Sequence, residues 1–519
     1  MKLSFATFAT LAVHLAAASP AVDTTTKRVI LDVVNTQLAP DGVTRNVVTA
    51  NGQYPGPPIT ATKGQTLSVT VNNKLTLTNM RVSTSLGLDG LFVNTRNAFF
   101  EGTPFVNTCP LPPNTSFTYE YPLNQQTGTF WYHSELGVQY TDGFRGPLVV
   151  YDPLDPHAHL YDVDDLSTII QLGDWWQTES LTLLAGYVAT GVVPVSDTGT
   201  VNGAGRFNGG PEVPWSVINV AQGRRYRFRV INESVRNVFT FSIDSHTMTV
   251  IEADGVETQP LEIDSMQMLA GQRYSVVVKA DQPVANYWIN APFTGGNPAV
   301  NPHQNGTLSR AILRYKGAPA ADPTTPLTSG PSNNPLIEAN LRPPEPDVIL
   351  TLNLVVTAGK AIWNVNNVSY VSPTVPTLAK VLAGPVDATT FDVTENTFIL
   401  PANKTVQIVF PETDDDDAHP FHLHGNNFWL IKSQTSPDEN TINPIRRDIA
   451  GVGGTGTTIR FRTDNPGPWF FHCHIFWHKQ AGLATVMLQD PDTVNAETVP
   501  NAAWDALCPA YNNLPEDQK

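Results

Sequence analysis

Apolar and polar side chains alternate in short runs along most of the chain. Representative runs place apolar residues two positions apart at Leu67, Val69 and Val71, at Phe117, Tyr119 and Tyr121, and at Tyr226, Phe228 and Val230. Because neighbouring side chains of a strand point to opposite faces, this period of two predicts half-buried β-strands. The 43 prolines and 36 glycines provide turns between the strands. We therefore predict an all-β fold of sandwiches or barrels, with helices limited to short segments at residues 181–185 and 377–382.

Several domains are expected, because 519 residues exceed what one hydrophobic core usually organises. Stretches rich in proline and aspartate, which resemble linkers, occupy residues 151–165 and 317–346. They divide the chain into predicted domains over residues 20–152, 165–318 and 340–510. The segments GTFWYHS at 128–134 and GPWFFHC at 467–473 resemble each other. This likeness suggests duplicated domains, with metal shared between the first and the third.

The chain begins with the pattern of a secretory signal peptide, in which Met1 and Lys2 precede an apolar stretch that ends in small residues. We expect removal of residues 1–19 and secretion of the remainder to the extracellular space. No later stretch offers about 18 uninterrupted apolar residues, so no membrane span is predicted. Five Asn-x-Ser/Thr sequons fit a secreted glycoprotein and lie at Asn114, Asn232, Asn305, Asn367 and Asn403.

The formal net charge of −16 argues against nucleic acid or an anionic membrane as a partner. Binding to phosphates relies on clustered lysine and arginine, which this acidic chain does not favour. Small molecules or cations are therefore the more suitable partners.

The three cysteines form an odd set, which leaves one thiol with a separate task in a secreted protein. Cys473 is the candidate, because it lies between two histidines. Cys109 and Cys508 are then the available disulfide pair, and three free thiols are the alternative.

The strongest chemical signal is a pair of short segments that together hold six of the 12 histidines, His419, His422, His424, His472, His474 and His478. On a strand, Cys473 points to one face while its two histidine neighbours point to the other, so adjacent residues can serve two metal sites. A single histidine is usually a core or surface residue. Six of them around one thiolate indicate metal binding.

Two imidazoles and one thiolate are the ligands of a blue, type 1 copper site, whose axial partner is weak or absent. We assign His419, Cys473 and His478 to this site. Leu483 takes the axial position and cannot coordinate. A non-coordinating axial residue is expected to raise the reduction potential of the copper.

These segments resemble the third and fourth copper-binding motifs of fungal laccases, within the multicopper oxidase family. The resemblance extends from Asn51 to Tyr511 and so covers nearly the whole mature chain. It implies three cupredoxin-like (plastocyanin-like) β-sandwich domains and a type 1 copper that takes single electrons from phenolic or aromatic donors. It also implies a trinuclear copper cluster that reduces dioxygen to water. By the same resemblance His422 matches a type 2 copper ligand, and the type 3 ligands are matched by His133, His424, His472 and His474.

Three of the eight cluster ligands of the family are replaced in this chain. The first family motif, His-Trp-His-Gly, aligns with residues 87–90 (GLDG), and the second motif ends in Glu135 in place of histidine. Type 2 copper is therefore expected to be absent or weak. In addition, Phe476 stands where the family has aspartate, and Arg236 replaces an acidic residue that lines the phenol pocket in many relatives.

By the ligand sharing of the family, the remaining cluster donors fall into two groups, one made of Asp89, His133 and His474 and the other of Glu135, His424 and His472. Carboxylates are harder ligands than imidazole, so a rebuilt metal pair suits iron or manganese as well as copper. The alternative is decay of the cluster, with both carboxylates solvated or paired with cations.

We interpret the chain as a laccase-like copper oxidoreductase in which the type 1 site is intact and the dioxygen centre is incomplete. Three functions stay open, namely an oxidase with a rebuilt metal pair, a one-electron-transfer copper protein and a non-catalytic partner subunit of an active laccase. A copper-storage module without turnover is a further alternative.

Overall fold

The computed structural model describes residues 26–325, 332–341, 350–359, 361–413 and 418–519. The predicted signal peptide at residues 1–19 lies outside these ranges. Strands dominate the described residues, which confirms the predicted all-β class. Both segments with helical spacing belong to helices, and five helices are described in all: α1 Ser180–Thr190, α2 Thr377–Leu382, α3 Phe476–Gln480, α4 Pro491–Glu497 and α5 Ala502–Asn512.

Domain 1 consists of two four-stranded sheets, built from β1 Thr26–Leu38, β2 Arg45–Ala50, β3 Ile59–Thr62, β4 Thr66–Asn73, β5 Gly87–Asp89, β6 Ser116–Pro122, β7 Gly128–His133 and β8 Arg145–Tyr151. Their orders are β2-β1-β4-β6 and β3-β8-β7-β5. The short strand β5 pairs with β7, so that Gly87 lies opposite His133 and Asp89 opposite Trp131. This pairing brings the two divergent motifs of the sequence side by side.

Domain 2 follows with two larger sheets, built from β9 Ile169–Trp175, β10 Thr198–Val201, β11 Ala204–Arg206, β12 Ser216–Val220, β13 Arg225–Asn232, β14 Val238–Ile243, β15 Met248–Ala253, β16 Val256–Ile263, β17 Met266–Met268, β18 Arg273–Lys279, β19 Asn286–Asn290, β20 Phe293–Thr294 and β21 Arg310–Tyr315. The orders are β11-β10-β9-β13-β18-β15-β16 and β12-β21-β19-β14-β17, with β20 beside β14. Arginines of β13 bind the preceding linker through ion pairs from Arg227 to Asp155 and from Arg229 to Asp164. The linker is therefore fixed to the second sheet system.

Domain 3 contains β22 Leu350–Asn353, β23 Val356–Gly359, β24 Ile362–Val365, β25 Thr397–Leu400, β26 Thr405–Phe410, β27 His419–Leu423, β28 Phe428–Lys432, β29 Arg446–Arg447, β30 Ile449–Val452, β31 Thr457–Arg462, β32 Gly467–Cys473 and β33 Ala484–Gln489. Two sheets have the orders β22-β26-β31-β28-β29 and β25-β33-β32-β27-β30, and β23 pairs with β24. In the second sheet β27 runs antiparallel to β32, with Phe421 opposite Cys473 and His422 opposite His472. Both histidine segments therefore meet on adjacent buried strands.

The same strand order recurs in domains 1 and 3. The sequence β3-β8-β7-β5 in domain 1 corresponds to β25-β33-β32-β27 in domain 3, and both begin with a parallel pair. The segments 128–134 and 467–473, which resemble each other in sequence, therefore lie on equivalent strands. Among the described residues, no helix combines the length and the apolar composition that crossing a bilayer requires.

The predicted disulfide between Cys109 and Cys508 is confirmed, with the two Cα atoms 5.0 Å apart. It connects a loop of domain 1 to α5, across a sequence separation of 399 residues. A crosslink over so long a loop restricts the unfolded chain and so stabilises the fold. Cys473 lies outside this disulfide and is buried, so the alternative of three free thiols is wrong.

The predicted glycan at Asn232 is wrong for the folded chain. Asn232 is fully buried at the end of β13, and its side-chain amide donates to the carbonyl groups of Asn237 at 3.0 Å and Met268 at 2.9 Å. A sugar on this nitrogen would break both hydrogen bonds and has no space. Glycosylation stays a prediction at the sequons that reach the surface, fully at Asn114, Asn367 and Asn403 and partly at Asn305.

A buried carboxyl group at the contact of domains 1 and 2 predicts a pH-dependent stability. Glu233 is 1% exposed, and its Oε1 lies 3.7 Å from the Arg145 Nε. Burial raises the pKa of Glu233 from 4.5 to about 7, although the Arg145 guanidinium opposes the shift. Between these two values the folded state holds a proton that the unfolded state has lost, so stability falls as the pH rises.

Glu233→Gln is expected to remove this loss of stability. Relative to the wild type, the free energy of unfolding of the variant should increase by about 1.4 kcal/mol per pH unit between pH 4.5 and 7 and stay level at higher pH. Urea unfolding across this window measures the difference. A difference that does not change with pH would contradict a raised pKa at Glu233.

Candidate metal centre

Three ligand atoms converge at one end of domain 3. His419 begins β27, Cys473 ends β32 and His478 lies on α3. The Cys473 Sγ lies 3.8 Å from the His419 Nδ1 and 3.9 Å from the His478 Nδ1, and the two nitrogens are 3.2 Å apart. Bonds of about 2.0–2.3 Å from each atom to one central metal produce separations of this size in a near-trigonal arrangement. The donor set and its geometry therefore fit a type 1 copper ion.

Trp363 covers both imidazoles of this first centre. Its ring centroid lies 4.2 Å from that of His478 and 4.8 Å from that of His419, and its indole N–H donates to the Tyr187 hydroxyl at 3.1 Å. A cavity of about 290 Å³ lies next to the indole and is lined by Trp363, His419, Phe410 and Leu354 among others. A molecule in this cavity can contact His419 and the indole while the thiolate stays buried.

Leu483, the predicted axial residue, is hydrogen-bonded to Cys473 through the backbone. It is fully buried, and its carbonyl accepts the Cys473 N–H at 3.0 Å. Its side chain offers no donor atom.

Arg236 is buried in domain 2, where its guanidinium packs against Gly296. Burial lowers the pKa of His478 well below its usual range, and the charges of His419 and Arg236 lower it further, so His478 is a neutral imidazole that can coordinate a metal.

A second centre lies between domains 1 and 3. All three residues of its first predicted donor group come together there. Asp89, His133 and His474 are buried, and their ligand atoms lie within 4.8 Å of one another. The two carboxylate oxygens of Asp89 accept hydrogen bonds from the His133 Nε2 at 3.1 Å and from the His474 Nε2 at 2.9 Å. Burial alone would raise the pKa of Asp89, but the neighbouring imidazoles hold it well below its usual range. A carboxylate and two imidazoles can hold a metal of intermediate hardness here.

The second donor group contains a cation that the sequence analysis did not identify. Glu135, His424 and His472 converge within 4.8 Å, and the Nε2 atoms of the two imidazoles are 3.1 Å apart. The Lys479 Nζ donates to the Glu135 Oε2 at 2.7 Å. The side chain of Glu135 is 0% exposed and that of Lys479 is 7% exposed. A buried ion pair therefore lies within the second predicted donor group.

The remaining histidines of the second centre are held by neighbouring oxygen atoms. The His422 Nδ1 donates to the Asp448 carbonyl at 3.1 Å, and the His424 Nδ1 is bonded to the Glu101 carboxylate. Burial lowers the pKa of His422 to about 3. Burial would also lower the pKa of His424, but the Glu101 carboxylate raises it to about 9. His422 is therefore a neutral donor, whereas His424 carries a proton that a metal would have to displace.

Gly87 leaves the space that the Glu135 side chain fills. A Cβ atom at position 87 would lie 2.8 Å from the Glu135 Cγ, which is closer than real side-chain contacts allow. Glycine offers no donor atom, so His422 is the one matched ligand of type 2 copper that is left. The residues of the second centre therefore do not fit a complete trinuclear copper cluster.

Two side chains of these centres were missed by sequence reasoning. Lys479 directly follows His478. A charged residue within a buried metal-binding motif is unusual, and this is the signal by which the sequence could have identified it. Trp363 lies on the β23–β24 hairpin, more than a hundred residues before Cys473, and no spacing rule connects it with the thiolate.

Family models of multicopper oxidases match three parts of the chain, residues 32–155, 167–318 and 370–493. Laccase-2 of Agaricus bisporus is 46% identical over 98% of this chain and 99% of its own length, and Laccase-4 of Trametes villosa is 45% identical over 93% and 94%. The laccase structure from Botrytis aclada matches with a TM-score of 0.82 at 30% identity, covering 95% of this chain and 93% of that one. By these likenesses and by its copper-binding motifs, the chain belongs to the multicopper oxidase family, among the fungal laccases.

Proposed function

We propose that this laccase-like protein takes single electrons from phenolic or aromatic donors at a type 1 copper held by His419, Cys473 and His478. The convergence of one thiolate and two imidazoles carries this proposal. Copper bound there supplies a one-electron redox couple. The cavity beside His419 and Trp363 offers an aromatic donor an indole face for stacking.

The dioxygen half of a laccase reaction is proposed to be lost. Cys473 is joined directly to His472 and His474, so the chain itself connects the thiolate to both donor groups of the second centre. At that centre three family ligands are replaced, and the histidines that remain do not complete the set that four-electron reduction of dioxygen requires. The Asp89 group is proposed to hold one ion of copper, iron or manganese.

A one-electron-transfer role is favoured over an oxidase with a rebuilt metal pair. The observation that favours it is the buried ion pair of Glu135 and Lys479. In this pair the lysine binds the carboxylate that a second metal ion would need as a ligand. We further propose that the protein acts outside the cell, where a soluble phenolic donor is available. A partner laccase chain remains the third candidate, and purification of the native protein tests it.

Under argon, a phenolic donor is expected to bleach the thiolate–copper absorption of the purified protein. In air, we expect no sustained oxygen uptake with the same donor. Cys473→Ser removes the thiolate and should abolish both the absorption and the oxidation of the donor. His159→Ala changes an exposed histidine outside the centres and serves as the control.

Spectra and an oxygen electrode on the same sample distinguish the candidate functions. Sustained oxygen uptake coupled to donor oxidation would show that the proposal is wrong and that the second centre reduces dioxygen. Co-purification with an active laccase chain would instead favour the partner-subunit role.

A further inference from the structure

Lys479 occupies a position at which a cation interacts with several buried groups at once. Its Nζ lies 2.7 Å from the Glu135 Oε2, 3.3 Å from the Glu135 carbonyl oxygen and 3.4 Å from the centroid of the Phe476 ring. Carboxylate, carbonyl and aromatic face are all groups that attract a positive charge.

The residues around the ammonium are complementary to one another. Glu135 fills the space left by Gly87, and its second oxygen, Oε1, faces the His133 Nε2 at 3.3 Å. Phe476 supplies the ring beneath the ammonium. Gly87, Glu135 and Phe476 are also three of the positions at which the sequence departs from the motifs of its family. Each of the three therefore lies against Glu135 or Lys479 or is itself part of that pair.

We propose that the Lys479 ammonium takes the place of a metal ion in the donor group of Glu135, His424 and His472. The second centre then contains one internal cation and one group, Asp89, His133 and His474, that is open to metal. This inference rests on the proposed function only in treating the two groups as the remnant of a copper cluster.

An ammonium and a divalent metal ion exclude each other at this position. Glu135 Oε2 is already bound to Lys479, and a metal that used Glu135 as a ligand would lie close to a like charge in a buried environment. A cavity of about 370 Å³ borders Glu135 and Lys479, although the Glu135 side chain itself is fully buried. The charge of the lysine therefore opposes metal binding in this group.

Lys479→Met tests the proposal, because methionine keeps much of the length of the side chain and removes its charge. Wild-type and variant proteins are loaded with copper for the first centre, dialysed against Cu²⁺ or Mn²⁺ and analysed for metal per chain. The variant is expected to gain one ion per chain over the wild type. That gain should disappear in Lys479→Met/Glu135→Gln. Lys380→Met is the matched control and should gain nothing, because it breaks another lysine–glutamate pair, in which Lys380 is partly buried and Glu395 is buried.

A thermal shift provides a readout that does not depend on activity. Cu²⁺ or Mn²⁺ should raise the melting temperature of Lys479→Met by more than that of the wild type. Equal metal content in the folded wild type and the folded variant would overturn the proposal. The thiolate–copper absorption reports separately on the first centre, so a failure of the proposed function there is visible on its own.

Glu135→Gln keeps the proposal testable if Lys479→Met does not fold. With Lys479 in place, the proposal expects the metal content of Glu135→Gln to equal that of the wild type. A lower metal content in Glu135→Gln would show that Glu135 ligates metal in the native protein and that Lys479 is no substitute for it.

Discussion

Replacing Arg273 by methionine is expected to lower the free energy of unfolding by about 3–5 kcal/mol, because the change leaves a buried carboxylate without its cation. The two terminal nitrogens of Arg273 donate to the two oxygens of Asp448, each at 2.8 Å, and both side chains are fully buried. The Arg273 Nε also donates to the Thr129 carbonyl at 3.1 Å. One side chain of domain 2 therefore connects domains 1 and 3 beside the second centre.

Urea unfolding followed by tryptophan fluorescence measures this change. Arg225→Met is the matched control, because Arg225 pairs with Asp162 at the surface and its loss should have a much smaller effect. Asp448→Asn in the Arg273→Met background removes the unpaired charge and should recover part of the loss. Similar losses in Arg273→Met and Arg225→Met would contradict the buried pair as the cause.

The strand pattern was a reliable guide to the fold, but it describes only one face of a strand. Tyr226, Phe228 and Val230 alternate as predicted and are buried on β13. Arg227 and Arg229 between them are buried as well, because they pair with aspartates of the linker. Alternation with a period of two identifies the strand. Burial of the polar face of that strand depends on the linker, whose position the alternation does not predict.

The first metal centre could be predicted because its ligands lie in two short segments. Spacing along β32 and α3 places His478 five residues after Cys473, and the pairing of β32 with β27 brings His419 to them. The second centre is different, because Glu135 and Lys479 are 344 residues apart and meet only when domains 1 and 3 pack together. The sequence shows that the histidines are missing, but it does not show that Lys479 binds the glutamate that replaces one of them.

Restoring the second centre is expected to convert the protein into one that consumes dioxygen. The variant Gly87→His/Asp89→His/Glu135→His/Lys479→Met supplies the three missing family ligands and removes the internal cation. The change at position 87 requires the change at position 135, because a Cβ atom at 87 would lie 2.8 Å from the Glu135 Cγ. Copper content should rise to the full family complement, and oxygen uptake with a phenolic donor should change from undetectable to sustained.

The same variant with Lys479 retained separates the role of the lysine from that of the ligands. Without Glu135, the ammonium loses its carboxylate partner and remains buried, where it repels a bound metal. We therefore expect this variant to bind less copper and to consume little oxygen. If both variants consume oxygen equally well, the lysine does not compete with metal, and the three histidines alone account for the lost activity. If the four-residue variant binds the full copper set but consumes no oxygen, the loss lies beyond the ligands, and Phe476 in place of the family aspartate is the next position to change.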